Sequence, residues 1–77
     1  MNKTRRNLLE SIITKLEEQK TEIENVQSEE QDCFDNMPEG LQYSERGDMM
    51  QECIDDMDTA ISSIDDCIST LQDIIDR

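Results

Sequence analysis

The chain has 77 residues and a formal net charge of −13, enough for one domain (residues 1–77) near the lower size limit for a self-sufficient core. Phe34 and Tyr43 are its only aromatic residues, so stability must come from aliphatic helix packing. The charge argues against direct nucleic-acid or anionic-membrane binding, which need a basic surface, and the absence of histidine removes Ser-His and Cys-His catalysis.

The charge is unevenly spread. Residues 1–20 carry Lys3, Arg5, Arg6, Lys15 and Lys20 against Glu10, Glu17 and Glu18. The other 57 residues carry seventeen acids against Arg46 and Arg77. The basic start is followed by Leu8–Ile13, which contains Glu10 and Ser11 and lacks the apolar run of a signal peptide. No stretch approaches the roughly 18 apolar residues of a membrane span. The expectation is a cytoplasmic protein.

The first helix is predicted over residues 4–36, with Thr4 as its N-cap. Leu9, Leu16 and Ile23 sit seven apart, flanked by Ile12, Ile13 and Val26. Gln19, Lys20, Gln27 and Glu30 then interrupt the stripe before Cys33, Phe34 and Met37 restore it. A polar patch of this kind either fixes register or marks the fringe of the apolar face; the fringe is expected. Met37-Pro38-Glu39-Gly40 breaks the helix, because the residue before proline is pushed out of the α region. Residues 37–43 are read as a turn.

The second long helix is predicted over residues 44–76, with Ser44 as N-cap and Gly47 weakening its first turn. Its apolar residues form three columns seven apart. Met50, Met57, Ile64 and Leu71 make one; Cys53, Ala60, Cys67 and Ile74 another; Ile54, Ile61, Ile68 and Ile75 the third. That face is wider than a two-stranded seam needs. Two helices of equal length and a short loop give an antiparallel two-helix hairpin. The surplus width predicts a homodimer in which two hairpins form a four-helix bundle.

The stretch Ser28-Glu29-Glu30-Gln31-Asp32-Cys33-Phe34-Asp35-Asn36-Met37-Pro38-Glu39-Gly40-Leu41-Gln42-Tyr43-Ser44-Glu45-Arg46-Gly47 resembles a segment of small uncharacterised helical proteins of bacteria and their phages. Those carry an acid-Glu-Gln, aromatic-Asp-Asn-x-Pro-Glu, Leu-Gln-x-Ser-Glu-Arg pattern ahead of an acidic helix. The resemblance implies a helical hairpin of mobile-element origin. No activity travels with it, and no functional residue is carried over. Physically, Asp35 and Asn36 suit capping of backbone groups, and Arg46 suits pairing with Asp35 or Glu39. Tyr43 and Arg46 are also residue types that anchor protein interfaces.

Catalytic chemistry finds no support. Asp55-Asp56 and Asp65-Asp66 are sequence neighbours, which diverge by about 100° on a helix; paired-carboxylate catalysis needs convergence in a walled pocket. Metal binding fares little better. Cys53 and Cys67 are fourteen residues apart, about 21 Å along a helix. Cys33 with Cys53 supplies at most two of the four ligands that structural zinc takes. The cysteines are expected as small core residues, and neither a metal nor another cofactor is expected.

The acidic surface is the strongest functional pointer. Seventeen carboxylates from Glu22 to Asp76 lie along a rod of roughly 45 Å, a density between those of duplex and single-stranded nucleic acid. A solubilising role is the simpler use of such a surface. The functional expectation is a non-enzymatic inhibitor that binds a basic, nucleic-acid-handling partner. Its binding residues would be Glu52, Asp55, Asp56, Asp58, Asp65, Asp66 and Asp73, with Tyr43 and Arg46 at the hairpin tip. The alternative is an oligomeric sponge that holds a phosphate-bearing small molecule at Lys3, Arg5, Arg6 and Arg77. Ion pairing of that basic pole with Asp73 and Asp76 is its simpler use.

Overall fold

The computed structural model describes Met1–Arg77 as three helices: α1 (Lys3–Asp35), α2 (Glu39–Gln42) and α3 (Glu45–Asp76). There is no strand. The two long helices pack on each other as an antiparallel hairpin 58 Å long and 15 Å by 12 Å in section. Its Cα radius of gyration is 17.5 Å, against about 11–12 Å for a compact domain of this length. A rod has little interior, and only four residues are buried: Ile13, Ile54, Ile75 and Gly47.

Helix α1 starts earlier than Thr4. Asn2 is extended (φ −78°, ψ 167°), and its side chain accepts a hydrogen bond from the Arg5 N–H at 2.8 Å. Asparagine ranks above threonine as an N-cap, so Thr4 falls inside the first turn. At the other end, the Asn36 and Met37 N–H groups donate to the Asp32 and Phe34 carbonyls at 3.0 and 3.1 Å. Pro38 has no N–H with which to continue the ladder.

The turn at 37–43 is itself helical. Leu41 and Gln42 donate to the Pro38 carbonyl at 2.9 and 3.1 Å, making α2 a single turn that reverses the chain. The Gln42 amide donates to the Phe34 carbonyl at 2.9 Å and reaches the Asp35 carbonyl at 3.5 Å. It thereby adds a second donor to the Phe34 carbonyl, which already accepts from Met37, at the end of α1. Ser44 caps α3 as expected, accepting from the Gly47 N–H at 3.3 Å, and its hydroxyl donates to the Leu41 carbonyl.

Gly47 does more than weaken a first turn. A Cβ built there would lie 2.1 Å from the Gln42 carbonyl oxygen and 2.7 Å from that of Leu41, both backbone atoms. Its φ is not positive. Glycine is required by close approach: the start of α3 presses directly on the main chain of α2.

The seam is two columns wide on each long helix. On α3 the Ile54–Ile75 column and the Met50–Leu71 column face α1, buried or half-buried. On α1 the inward positions are Leu9, Leu16 and Ile23, and Ile13, Lys20, Gln27 and Phe34. The third α3 column stays outside: Cys53, Ala60 and Cys67 are exposed and Ile74 is half-buried. The expectation that the cysteines are core residues is therefore corrected. All three, Cys33 included, are exposed free thiols, because the contact with α1 is filled by the isoleucine and methionine columns.

Gly47→Ala should destabilise the hairpin despite alanine's better helix propensity. Propensity favours the substitution by about 1 kcal/mol, but no side chain can rotate to relieve a clash with two main-chain carbonyls. A net loss of about 1–3 kcal/mol is expected, read as a lower midpoint in urea unfolding followed by circular dichroism.

Candidate functional site: two unlike flanks of the hairpin

The interrupting residues of α1 divide into two groups. Lys20 and Gln27 occupy inward positions and are half-buried. The Lys20 ammonium pairs with the Asp65 carboxylate at 2.7 Å. The Gln27 amide donates both to the Ile54 carbonyl at 3.1 Å and to the Asp58 carboxylate at 2.6 Å. These two belong to the seam, contrary to the fringe reading. Gln19 is exposed and Glu30 half-buried.

Those contacts define one flank. Residues seven apart share a face of a helix packed this way, so the Glu10, Glu17, Glu24 and Gln31 row of α1 runs beside the Gln51, Asp58, Asp65 and Gln72 row of α3. A solvent-open groove of about 280 Å³ lined by Gln27, Ser28, Gln31, Ile54 and Asp58 lies on this side. The flank is acidic and amide-rich, and Lys20 supplies its one cation at the seam.

The opposite flank is apolar. There α1 presents Ile12, Gln19, Val26 and Cys33, and α3 presents Cys53, Ala60, Cys67 and Ile74. Both rows border a solvent-open groove of about 400 Å³ lined by Gln19, Glu22, Ile23, Val26, Met57 and Ala60. Leu8, Ile12 and Val26 remain 59%, 43% and 55% exposed. Neither groove is walled off from water, and no three Cys, Asp or Glu side chains converge as a metal site would require.

The acids expected to bind a partner are distributed accordingly. Asp58 and Asp65 are taken up by Gln27 and Lys20 at the seam edge. Asp55 lies within 3.5 Å of the Gln51 amide. Glu52, Asp66 and Asp73 are exposed, share one outward column of α3 and have no side-chain partner. Asp56 lies on the rim of the apolar flank. At the tip, Tyr43 is 79% exposed and Arg46 is exposed. The expected pairing of Arg46 with Asp35 or Glu39 is not made.

The basic pole is also unpaired. Lys20–Asp65 is the one ion pair in the hairpin, so Lys3, Arg5, Arg6 and Arg77 do not pair with Asp73 or Asp76. The Arg6 Nε is shielded from solvent and has no hydrogen-bond partner. No helix is long and apolar enough to cross a membrane. Comparison with protein-family models, curated proteins and solved structures gives no match to this chain.

Sequence reasoning missed Gln42 and Gln27, whose amides join the tip and the seam. Gln27 carried a visible signal, since it lies seven residues after Lys20 in the same inward column.

Two outcomes follow from this charge layout. The hydrogen bond to Asp65 raises the Lys20 pKa above its ordinary 10.5, aided by the charges of Asp65, Glu24 and Glu17. Its stabilising effect is therefore fully present below the unfolded-state value and is lost as pH rises through the folded value. The melting-temperature difference between wild type and Lys20→Gln should be constant near neutral pH and vanish in strongly alkaline buffer. Separately, the unpaired carboxylates repel one another, so helicity and melting temperature should rise as salt is raised from about 0.01 M, where the screening length is about 30 Å, to about 1 M, where it is about 3 Å.

Proposed function

We propose that this chain is a small acidic interaction protein without enzymatic activity, acting as a homodimer in the cytoplasm. In this reading it is an inhibitor of phage or mobile-element origin that occupies a basic, nucleic-acid-handling surface in place of nucleic acid. The observation that carries the reading is the unpartnered outward ridge of α3. Glu52, Asp66 and Asp73, with Asp55 beside them, face solvent along a rigid helix and make no ion pair. From Glu52 to Asp73 the ridge runs about 32 Å at 1.5 Å per residue. A fixed line of negative charge of that length presents to a basic channel what a phosphate backbone presents. Helical rigidity adds to the fit, because the charges need no ordering on binding. Tyr43 and Arg46, exposed at the tip, supply an aromatic and a guanidinium anchor at one end of the line.

The basic pole supports a second reading, a phosphate-bearing small molecule held by Lys3, Arg5, Arg6 and Arg77. What favours it is the missing ion pairing there together with the unpartnered Arg6 Nε, since guanidinium groups bind phosphate well.

The two readings separate by substitution. A partner recovered on the immobilised chain from its host should be released by random-sequence duplex DNA and by raised salt. It should bind about tenfold or more weakly to the combined Glu52→Gln, Asp66→Gln, Asp73→Gln variant, a loss of about 1.4 kcal/mol or more. The combined Lys3→Gln, Arg5→Gln, Arg77→Gln variant should keep that partner. Retention indifferent to both DNA and the acidic substitutions rules out mimicry. A nucleotide found by native mass spectrometry on wild type, and lost from the basic-pole variant, establishes the second reading.

A further inference from the structure

The apolar flank has no function within a single hairpin. Its inner rows, Ile12, Gln19, Val26 and Cys33 on α1 and Cys53, Ala60, Cys67 and Ile74 on α3, are the sites at which a coiled seam would widen into a bundle. We propose that this flank, and not the acidic one, is the docking face for a second copy of the chain. The two hairpins lie face to face and head to tail, the tip of one over the basic pole of the other. The proposal rests on the dimer in the functional reading above and is independent of what the acidic ridge binds.

Size comes first. The hairpin is 58 Å long and 15 Å across, and a face of those dimensions matches the roughly 800 Å² that each partner of a stable complex covers. The opposite flank offers no comparable surface, because Glu10, Glu17 and Glu24 would face the same residues of a mate. Burying those carboxylates against one another would be costly.

Charge then selects the orientation. A two-fold axis in the plane of the interface has two choices. Running along the rods, it places tip on tip and stacks α1 on the mate's α3. That brings the rim acid Glu29 of α1 against Asp56, which the Lys20–Asp65 and Gln27–Asp58 contacts set at nearly the same height. Running across the rods, it stacks α1 on α1 and α3 on α3 in opposite directions. The rim of α1 then sets Lys15 near Glu22 of its mate. The tip, carrying Asp32, Asp35, Glu39, Glu45 and Asp48, comes to lie over Lys3, Arg5, Arg6 and Arg77. The second arrangement replaces the acid-on-acid rim contact with opposite charges and sets the acid-rich tip over the basic pole.

The same arrangement explains Gln19. It is the middle residue of α1 and the one polar residue between Ile12 and Cys33 in its row. In the crossed dimer it sits near the two-fold axis, where its amide meets that of its mate. A single polar residue in a bundle core fixes alignment in this way.

The native thiols report the outcome directly, since all three lie on the proposed face. In sedimentation at high micromolar concentration the isolated chain should have about twice its 9.0 kDa mass. Its thiols should react with a maleimide more slowly at that concentration than on dilution to monomer. Orientation is read with single-cysteine variants and a short bismaleimide. Asp65 lies opposite Lys20, which sets Asp66 opposite Gln19, so across the axis two Cys67 residues are offset by about 3 Å and two Cys53 residues by about 39 Å. Cys67 should cross-link and Cys53 should not. Tip-on-tip stacking would cross-link both. Val26→Asp with Ala60→Asp should halve the mass, and Glu17→Lys on the other flank should not. Should the double variant unfold, wild-type mass and thiol protection still decide. A helical monomer at high micromolar concentration, or cross-linking through Cys53, overturns the proposal, and both results leave the acidic-ridge test intact.

Discussion

The packing of α1 against α3 is the constraint on which the whole hairpin depends. Isoleucines 13, 54 and 75 are the only buried side chains, and each lies on the line where the two helices meet. A long acidic helix gains little from intrinsic propensity once its own charges repel. The apolar line offsets that repulsion, and the acids must be outside it. The charge pattern is thus a consequence of the seam: what is left after the inward columns are filled becomes either the acidic flank, the acidic ridge or the apolar flank.

Much of this was legible in the sequence. The seven-residue columns of α3 announce a long helix with an apolar face, and the break at Pro38 with the cap at Ser44 sets the hairpin topology. Both are local signals, governed by main-chain donors and acceptors a few residues away. The third column was not legible in its role. Cys53, Ala60 and Cys67 repeat as regularly as the isoleucines, and periodicity alone does not say which two of three adjacent columns a single partner helix will cover. The packing decides it: the isoleucine and methionine columns meet α1, and Cys53, Ala60 and Cys67 are left at the edge. Gly47 and Gln42 were obscure for a different reason. Their roles arise from the close approach of α2 and α3, a relation between segments that no spacing rule encodes.

The candidate site shows the same division. That helix α3 is acidic was plain, but which acids are free was not. Asp58 and Asp65 are indistinguishable from their neighbours until α1 brings Gln27 and Lys20 beside them. Structure therefore sets Asp58 and Asp65 apart from Glu52, Asp66 and Asp73, which share one outward column of α3. It also separates two surfaces that the sequence mixes, since apolar and charged residues alternate along the chain yet occupy different sides of the rod.

The helical turn α2 has one more consequence. A seam repeating every seven residues offers the two helices several alignments of nearly equal quality, each one repeat from the next. Ile54, Ile61, Ile68 and Ile75 can all occupy one another's berths, and Asp58 and Asp65 can exchange partners. The seam by itself is a rack with many notches. The three residues Asn36, Met37 and Pro38 between α1 and α2, with Gly47 pressed on the α2 backbone, leave no slack for sliding to another notch. The smallest helix in the molecule acts as its end-stop, and alignment along the entire rod is decided at one end of it.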